Sequence, residues 1–357
     1  MLGTAAFVAS SAWLVGGVPS QAGIIVEPWI DTSNRDAVAV AYGTEYAAGS
    51  PDMDWTGNYE TCDAGDASER LAMATLRRVN FYRAMAGVPA GVTLSAEYSR
   101  KAQHAALAMS ATGRLSHTPD DSFDCLSSTG REAAANSNLY LGRTGPTAID
   151  GYIEDPGDRN RDVGHRNTIL HPPTSEIGVG HVQGSGTAYP ANALWVFDEA
   201  VFADNPALRE PEGFVAWPPR GFVPPELVYP RWSFGLIDAN FDNATVTMTA
   251  DGQPIELEVV ARLSQKGYVP SPIIVWEPVA DPGSDDPSTD AGVVGTGAAR
   301  EGLAGDGLLT IDAAYDTSID IVIAGVVVDG AEVSFFYSVV VMGDEPAVER
   351  IRSLSLG

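Results

Sequence analysis

The chain of 357 residues is longer than one average domain, and each of two domains would be large enough to bury its own core. Its hydrophobic content of 45% is that of a globular protein. The formal net charge of −26 and a pI near 4.3 argue against nucleic acid or an anionic membrane as a partner, because both carry negative charge.

The first segment of the chain is typical of a secretory signal peptide. Residues 2–18 are apolar and small, and Ser20 and Ala22 are small residues at the positions that a signal peptidase reads. We therefore expect a signal peptide over residues 1–23 and a secreted, extracellular protein with no membrane span after cleavage. A membrane anchor is the alternative, although this apolar stretch is at the short limit for a span.

Cys62 and Cys125 are the only cysteines. An even pair in a secreted chain favours one disulfide, which would tie the segment before the first helix to the segment after His117. Two buried free thiols are the alternative. Cysteine ligation of a metal is not expected, because no second cysteine lies close to either one.

Three helices are predicted in chain order, after an N-terminal extension at residues 24–60 that has no sustained periodicity. A capping-box pattern at residues 66–69 opens the first helix, which ends at Gly87. Ser95 is a candidate cap for the second helix, and Gly113 ends it. Residues 114–129 read as a loop. Pro146 suits the first position of a third, short helix.

The most informative run is VGHRNTILHPP at residues 163–173. A short apolar helical turn is stopped by two prolines, since proline lacks the N–H and clashes with the preceding turn. Strands are predicted next, at residues 176–182 and 193–197. This order presents His165 at the edge of a packed element, where a titratable or metal-binding side chain can be held rigidly.

The run is one of several that resemble the CAP superfamily in its bacterial form, the domain of cysteine-rich secretory proteins, antigen 5 and pathogenesis-related protein 1. The others follow in the order of that family: LRRVNFYRAMAGVP at 76–89, AQHAALAM at 102–109, LSH at 115–117, GRE at 130–132 and GYIE at 151–154. The resemblance implies an α+β fold with a CAP-type α/β/α sandwich. It also implies an extracellular role such as lipid or sterol binding, defence or adhesion, without naming a ligand.

Four residues match the positions at which this family places a central tetrad: His117, Glu132, Glu154 and His165. Two imidazoles in one cleft can bind a divalent metal, with each ring oriented by a glutamate. His117 and His165 are thus candidate ligands, for zinc rather than calcium because the donors are ring nitrogens. The same four groups can act as a general acid and base pair, or can form a polar cluster that only fixes loops.

Catalysis is the less favoured interpretation of these residues. No G-x-S-x-G or H-E-x-x-H motif occurs, so the sequence shows no activated nucleophile. Glu132 and Glu154 remain the candidate catalytic bases of a metal-dependent hydrolase. The acidic turn at residues 155–162 is not an EF-hand, since its glycine is misplaced and Ile169 stands where the closing glutamate belongs. Asn80 and Arg83 are expected to form structural hydrogen bonds.

The last part of the chain is predicted to be all β. Prolines punctuate residues 206–230, which reads as a linker and an irregular start. Asp-Gly pairs at 251–252 and 329–330 lie between alternating apolar runs and favour hairpins. We expect an Ig-like sandwich, with Trp217, Trp232 and Trp276 as core anchors; a sugar-stacking platform is the alternative for these tryptophans.

These observations predict a signal peptide at 1–23, an extension at 24–60, a CAP domain at 61–203 and a β-sandwich domain at 204–357. The first hypothesis for function is a secreted module that binds a small molecule, lipid-like in chemistry, or a divalent metal in the His/Glu cleft. A metal-dependent hydrolase is the second hypothesis. A structural component of a cell surface or filament, with a protein partner, is the third.

Overall fold

The structure is a computed structural model that describes residues 29–199, 208–210, 212–250, 252–264, 270–279 and 316–343. The predicted signal peptide lies outside these ranges, as does the predicted domain boundary at residues 203 and 204. Within the described ranges, no helix has both the length and the apolar character that crossing a membrane requires.

Residues 29–199 form helices around a small sheet. The helices are α1 Arg35–Ala41, α2 Glu69–Ala86, α3 Ala96–Thr112, α4 Ser128–Ala135, α5 Pro146–Glu154 and α6 Gly164–Ile169. The strands are β1 Thr93–Leu94, β2 Ser137–Leu141, β3 Glu176–Val182 and β4 Ala191–Trp195, in the sheet order β1-β3-β4-β2. β1 runs parallel to β3, and the other pairs are antiparallel.

Local signals place the two long helices. The Ser68 side chain accepts the N–H of Leu71 at the start of α2, and Gly87 ends that helix with a left-handed φ of 77°. Ser68, which lies in the capping-box pattern predicted at residues 66–69, is therefore the N-cap of α2. Ser95 caps α3 in the same way, and Gly113 ends it with a φ of 72°. Both helices were predicted with these ends.

The sheet lies between two helical layers. One core packs α2 and α5 on the sheet face that carries Ile177 and Val179, and a second core packs α3 and α4 on the other face. α3 approaches β3 closely, because a Cβ on Gly178 or Gly180 would lie within 2.3 Å of α3 backbone atoms. This is the three-layer arrangement that the resemblance implies.

The remaining described residues form two further sheets. Their strands are β5 Phe214–Trp217, β6 Gly221–Val223, β7 Trp232–Leu236, β8 Ala239–Asn240, β9 Thr245–Ala250, β10 Gln253–Ile255, β11 Leu257–Leu263, β12 Ile273–Pro278, β13 Thr317–Val328 and β14 Ala331–Val341. One sheet has the order β10-β9-β13-β14-β6, with β8 beside β13, and the other has the order β11-β12-β7-β5.

The two β-sheets pack face to face. The Phe234 ring of β7 lies 6.2 Å from the Tyr337 ring of β14, and the Trp276 indole donates a hydrogen bond to the sulfur of Met248. Both predicted hairpins are present, since β9 pairs with β10 and β13 pairs with β14 around the two Asp-Gly pairs. β6 pairs in parallel with β14. The α+β class is confirmed, whereas the Ig-like strand arrangement is not.

Some predictions about local structure were wrong. The N-terminal extension is not irregular throughout, because Asn34 caps α1 with its side chain and a π-helical turn follows at Tyr42–Tyr46. α4 begins at Ser128, inside the segment 114–129 that was predicted to be a loop. The proline-rich region contains β5 and β6. Trp217, Trp232 and Trp276 are fully buried, which confirms core anchoring and excludes a sugar platform.

The α/β part and the β part share one hydrophobic core. The Tyr82 ring of α2 packs edge-on against the Trp217 ring of β5, with centroids 5.1 Å apart, and the Tyr82 hydroxyl lies 2.7 Å from the Tyr229 hydroxyl. From α6, the buried Arg166 guanidinium donates to the Ser233 hydroxyl of β7 at 3.0 Å. The β part is therefore packed directly onto α2 and α6.

Candidate functional site

The best-defined polar pair in the α/β part is formed by His165 and Asp155. The Asp155 carboxylate accepts the backbone N–H of His165 at 3.0 Å and contacts Nδ1 of its ring at 2.7 Å. Asp155 has no exposed side-chain surface, whereas the His165 side chain is 22% exposed. A buried carboxylate at Nδ1 places the proton of the neutral ring there and leaves Nε2 as the acceptor or ligand atom.

Two unusual backbone conformations create this pair. Asp155 is the residue at which α5 ends, and it adopts a left-handed conformation with a φ of 53°. Val163 precedes α6 with a φ of 48°, which is rare for a β-branched residue and stores strain. The buried Val163 side chain packs on Ile273 and Val275 of β12. Packing against the β part thus holds the turn that carries His165.

His117 is held in a similar way by a different group. Its Nδ1 lies 3.0 Å from the carbonyl oxygen of Ala134 in α4. The carbonyl oxygen of His165 accepts a hydrogen bond from the Asn138 side chain of β2 at 3.2 Å. Both histidines are therefore anchored to one segment, with contact residues four positions apart, a separation that an extended chain spans in at most about 14 Å.

The two glutamates of the predicted tetrad do not orient the histidines. Glu132 binds the Lys101 ammonium of α3 at 2.7 Å, and its side chain is 49% exposed. Glu154 lies 3.6 Å from the Arg143 guanidinium. In the described part of the chain, no hydrogen bond or ion pair joins one tetrad residue to another. The orienting groups are instead Asp155 and the Ala134 carbonyl.

Asp155 takes the role expected of Glu154 because of where α5 ends. Its left-handed backbone turns its side chain back toward the first turn of α6, while the preceding Glu154 still belongs to the helix. The sequence predicts Asp155 only as part of an acidic turn. Its position directly after the GYIE motif was the available signal, but a left-handed cap formed by a residue other than glycine cannot be read from sequence.

The donor set falls short of a zinc site. Zinc in proteins takes three or four protein ligands. Across the ranges that the structure describes, no group of three or more His, Cys, Asp or Glu residues is arranged to hold a metal ion. His117 and His165 would together supply two ring nitrogens. Two ring nitrogens are fewer protein ligands than a resident zinc ion takes, so the residues present do not fit one.

An aromatic row lines one side of His165. The Tyr152 ring lies 5.3 Å from the imidazole, and the Tyr140 ring lies 5.7 Å from that of Tyr152. The Arg143 guanidinium stands over the Tyr140 ring at 5.7 Å. Nearby, burial raises the pKa of the Asp162 carboxyl. The surroundings of His165 thus combine aromatic surface with charged groups.

Arg231 of the β part binds the loop that carries Asp155. Arg231 Nη1 donates to the carbonyl oxygens of Asp155, Gly157 and Asn160 at 2.8, 3.2 and 2.9 Å, and its Nε donates to Glu277 at 2.6 Å. These carbonyls belong to the loop between α5 and α6. Arg231 therefore shapes the loop that begins with Asp155, a role with no sequence signal.

His181 has a structural role, as do Arg83 and Asn80, for which structural hydrogen bonds were predicted. His181 is buried; its Nδ1 accepts from Gly145 and Asn192, and burial lowers its pKa to about 4. The Arg83 guanidinium, also fully buried, donates to backbone carbonyls, four of them in residues 169–174. Asn80 exchanges two hydrogen bonds with the Val92 backbone.

The disulfide between Cys62 and Cys125 is formed, as predicted, and no free cysteine is present.

Residues 76–198 match the family model described as CAP, the cysteine-rich secretory protein family. No curated protein matches the chain. The matched residues contain the second part of α2, all of α3 to α6, the whole sheet of the α/β part, and both His117 and His165.

Proposed function

Residues 76–198 form a domain of the CAP family, and we propose that this domain belongs to a secreted protein that binds a small ligand at His165. The observation that carries the proposal is the contact between buried Asp155 and His165 Nδ1. A ring held in this way presents Nε2 with a fixed direction, so a hydrogen bond to a ligand loses little side-chain freedom. The disulfide supports secretion, since disulfides persist in oxidising compartments.

The chemistry around Nε2 favours a ligand with a hydroxyl group. Nε2 of the neutral ring accepts a hydrogen bond, and the partly exposed Tyr140 ring offers aromatic surface on the far side of the buried Tyr152 ring. A lipid-like alcohol, which joins one hydroxyl to an apolar body, has both features. A metal ion is less well supported, because a two-histidine set leaves it short of protein ligands.

Native mass spectrometry of the protein purified from its source tests ligand binding. We expect a bound mass on the wild type that is lost in His165→Ala and weakened in Asp155→Asn, because the amide holds the ring in the wrong tautomer. His104→Ala is the matched control, since His104 is a half-buried histidine of α3. A bound mass that survives in His165→Ala would refute the proposal. Elemental analysis of the same samples reports any metal.

Secretion has its own test. The mature N-terminus of the secreted protein is expected near residue 24, and N-terminal sequencing of culture-medium protein measures it. Retention of residues 1–23 in a membrane fraction would favour the anchor instead.

Hydrolysis is the second candidate function, and the same pair favours it. A histidine oriented by a buried carboxylate is the arrangement of a general base. Among the described residues, no Ser, Thr or Cys side chain hydrogen-bonds to the His165 ring, so the nucleophile would be water. Turnover of activated esters should vanish in His165→Ala and fall in Asp155→Asn, and sensitivity to chelator would identify a metal-dependent reaction.

A further inference from the structure

An open edge of the β part carries an inference that does not depend on His165. β14 has 11 residues, but on the side away from β13 it pairs only at Val339–Val341, with β6. For residues 331–338, no described strand lies on that side. An unpaired edge presents backbone N–H and C=O groups that another strand can bind.

The outward direction of these groups follows from their neighbours. The carbonyl oxygen of Phe336 accepts a hydrogen bond from Arg220 Nη2 at 3.1 Å, and the N–H of Met342 donates to the Val223 carbonyl of β6. These two outward-pointing backbone groups, the Phe336 carbonyl and the Met342 N–H, belong to even-numbered residues of the chain. Because strand geometry repeats every two residues, the backbone groups of Glu332 and Ser334 point to the same edge.

A groove of about 500 Å³ runs beside this edge. It lies where β14 faces Phe214 of β5, the edge strand of the other sheet, so it opens into the space between the two sheets. Aromatic and aliphatic side chains line it, with Arg220 and Glu212 at its border; the apolar members are Phe214, Leu236, Val328, Val333, Phe335 and Phe336. Alternate side chains of an added strand would enter this groove.

The charge around the groove selects the partner. Arg220 is already paired, at 2.7 Å with Glu210 and at 3.8 Å with Glu212. Glu332 on the edge itself and Asp329 in the turn before it are exposed. The border therefore carries an excess of carboxylates, on a chain whose net charge is −26. Such a surface attracts a basic segment and repels a second copy of this chain.

Beyond Glu332, the edge lacks the usual protection against pairing. Natural edges are blunted by charged side chains, especially Lys, or by Pro. Residues 333–336 are Val-Ser-Phe-Phe, and Phe336 is 59% exposed on the outer face of the sheet. We propose that this edge binds an extended, basic polypeptide segment of another protein by β-strand addition, with its apolar side chains in the groove.

Fluorescence anisotropy with two labelled peptides tests the proposal on the full chain. One peptide alternates Lys and Val over nine residues, and the other alternates Glu and Val. We expect the basic peptide to bind at least tenfold more tightly than the acidic one, and its binding to fall at least tenfold in Ser334→Pro. Proline removes the outward N–H and is tolerated at edges, because that N–H does not serve the β13 ladder.

Thr247→Lys is the control, on the exposed face of β9 away from the edge, and should bind nearly as well as the wild type. Circular dichroism checks that each variant folds. Backbone pairing predicts slower hydrogen exchange at Glu332 and Ser334 when the basic peptide is bound. Equal binding by Ser334→Pro, no binding by the wild type, unchanged exchange, or a dimer that Ser334→Pro dissociates would each overturn the proposal.

Discussion

Replacing Arg231 by leucine tests whether the β part holds the loop of the candidate site. The side chain is 11% exposed, and its Nη1 serves three carbonyl oxygens between α5 and α6. Leucine keeps apolar contacts but leaves the carbonyls of Asp155, Gly157 and Asn160 without their donor. The loop should then open more often, and with it the contact between Asp155 and His165.

The size of the effect follows from the hydrogen bonds lost. Each hydrogen bond to a charged group contributes about 1.5–3 kcal/mol net. The three share one nitrogen and are not additive, so we expect about 3 kcal/mol in all. That free energy corresponds to roughly a hundredfold faster exchange of loop amides when local opening limits exchange. The melting temperature should fall by roughly 4 °C if the loop opens only on global unfolding, because the unfolding entropy of a chain of this length is about 0.75 kcal/mol per kelvin.

Hydrogen exchange measured by mass spectrometry over residues 155–165 is the assay. Arg262→Leu is the matched control, since Arg262 also donates to a backbone carbonyl, that of Ala244, but within the β part. The control should lower the melting temperature and leave exchange at residues 155–165 unchanged. Wild-type exchange across this loop in Arg231→Leu would refute the reasoning.

Three further predictions concern stability. His181 is held neutral with a pKa of about 4, below its unfolded value of about 6.5, so stability should fall by about 3 kcal/mol as pH drops from 6.5 to 4; urea titrations at both pH values measure this, and His181→Asn should lack the slope. Reducing the disulfide between Cys62 and Cys125, which are 63 positions apart, should remove about 4 kcal/mol on the chain-entropy model; melts with and without reductant would contradict this if they coincided. Arg83→Met should destabilise by about 4 kcal/mol because it leaves buried carbonyls unpaired, whereas Met at the exposed Arg77 of the same helix should change the denaturation midpoint little.

Sequence predicted the helices whose ends are set locally. α2 and α3 begin at serines that bind their own backbone and end at left-handed glycines, and α5 begins at Pro146 as expected. These signals act within a few residues of the chain, so no tertiary contact is needed to read them.

The missed elements depend on distant partners. β2 at Ser137–Leu141 is a strand because β4 pairs with it along its whole length. α4 is short and is stabilised by packing on α3. β4 begins at Ala191, two residues before the predicted start, in a small-residue segment with weak alternation. Only the folded sheet determines where such a strand starts and stops.

The residues of the candidate site also differ in whether local sequence or distant contacts determine their role. His165 could be predicted, because a histidine in a proline-terminated helical turn stands out in sequence. Its partner could not, because two adjacent carboxylates, Glu154 and Asp155, differ only in the backbone conformation at the end of α5. The contribution of Arg231 required knowing how the two parts of the chain pack.

Because the two parts pack together, the β part supports the candidate site. Prolines at residues 206–230 predicted a linker before the β-sandwich domain; in the structure, Asn167 of α6 and Ser271 exchange hydrogen bonds between side chain and backbone at 2.9 and 3.2 Å. The strained Val163 is held by Ile273 and Val275 of β12. A left-handed valine persists only where its surroundings enforce it. The α6 turn that presents His165 therefore depends on β12, and removal of the β part should release the strain and the orientation of the ring together.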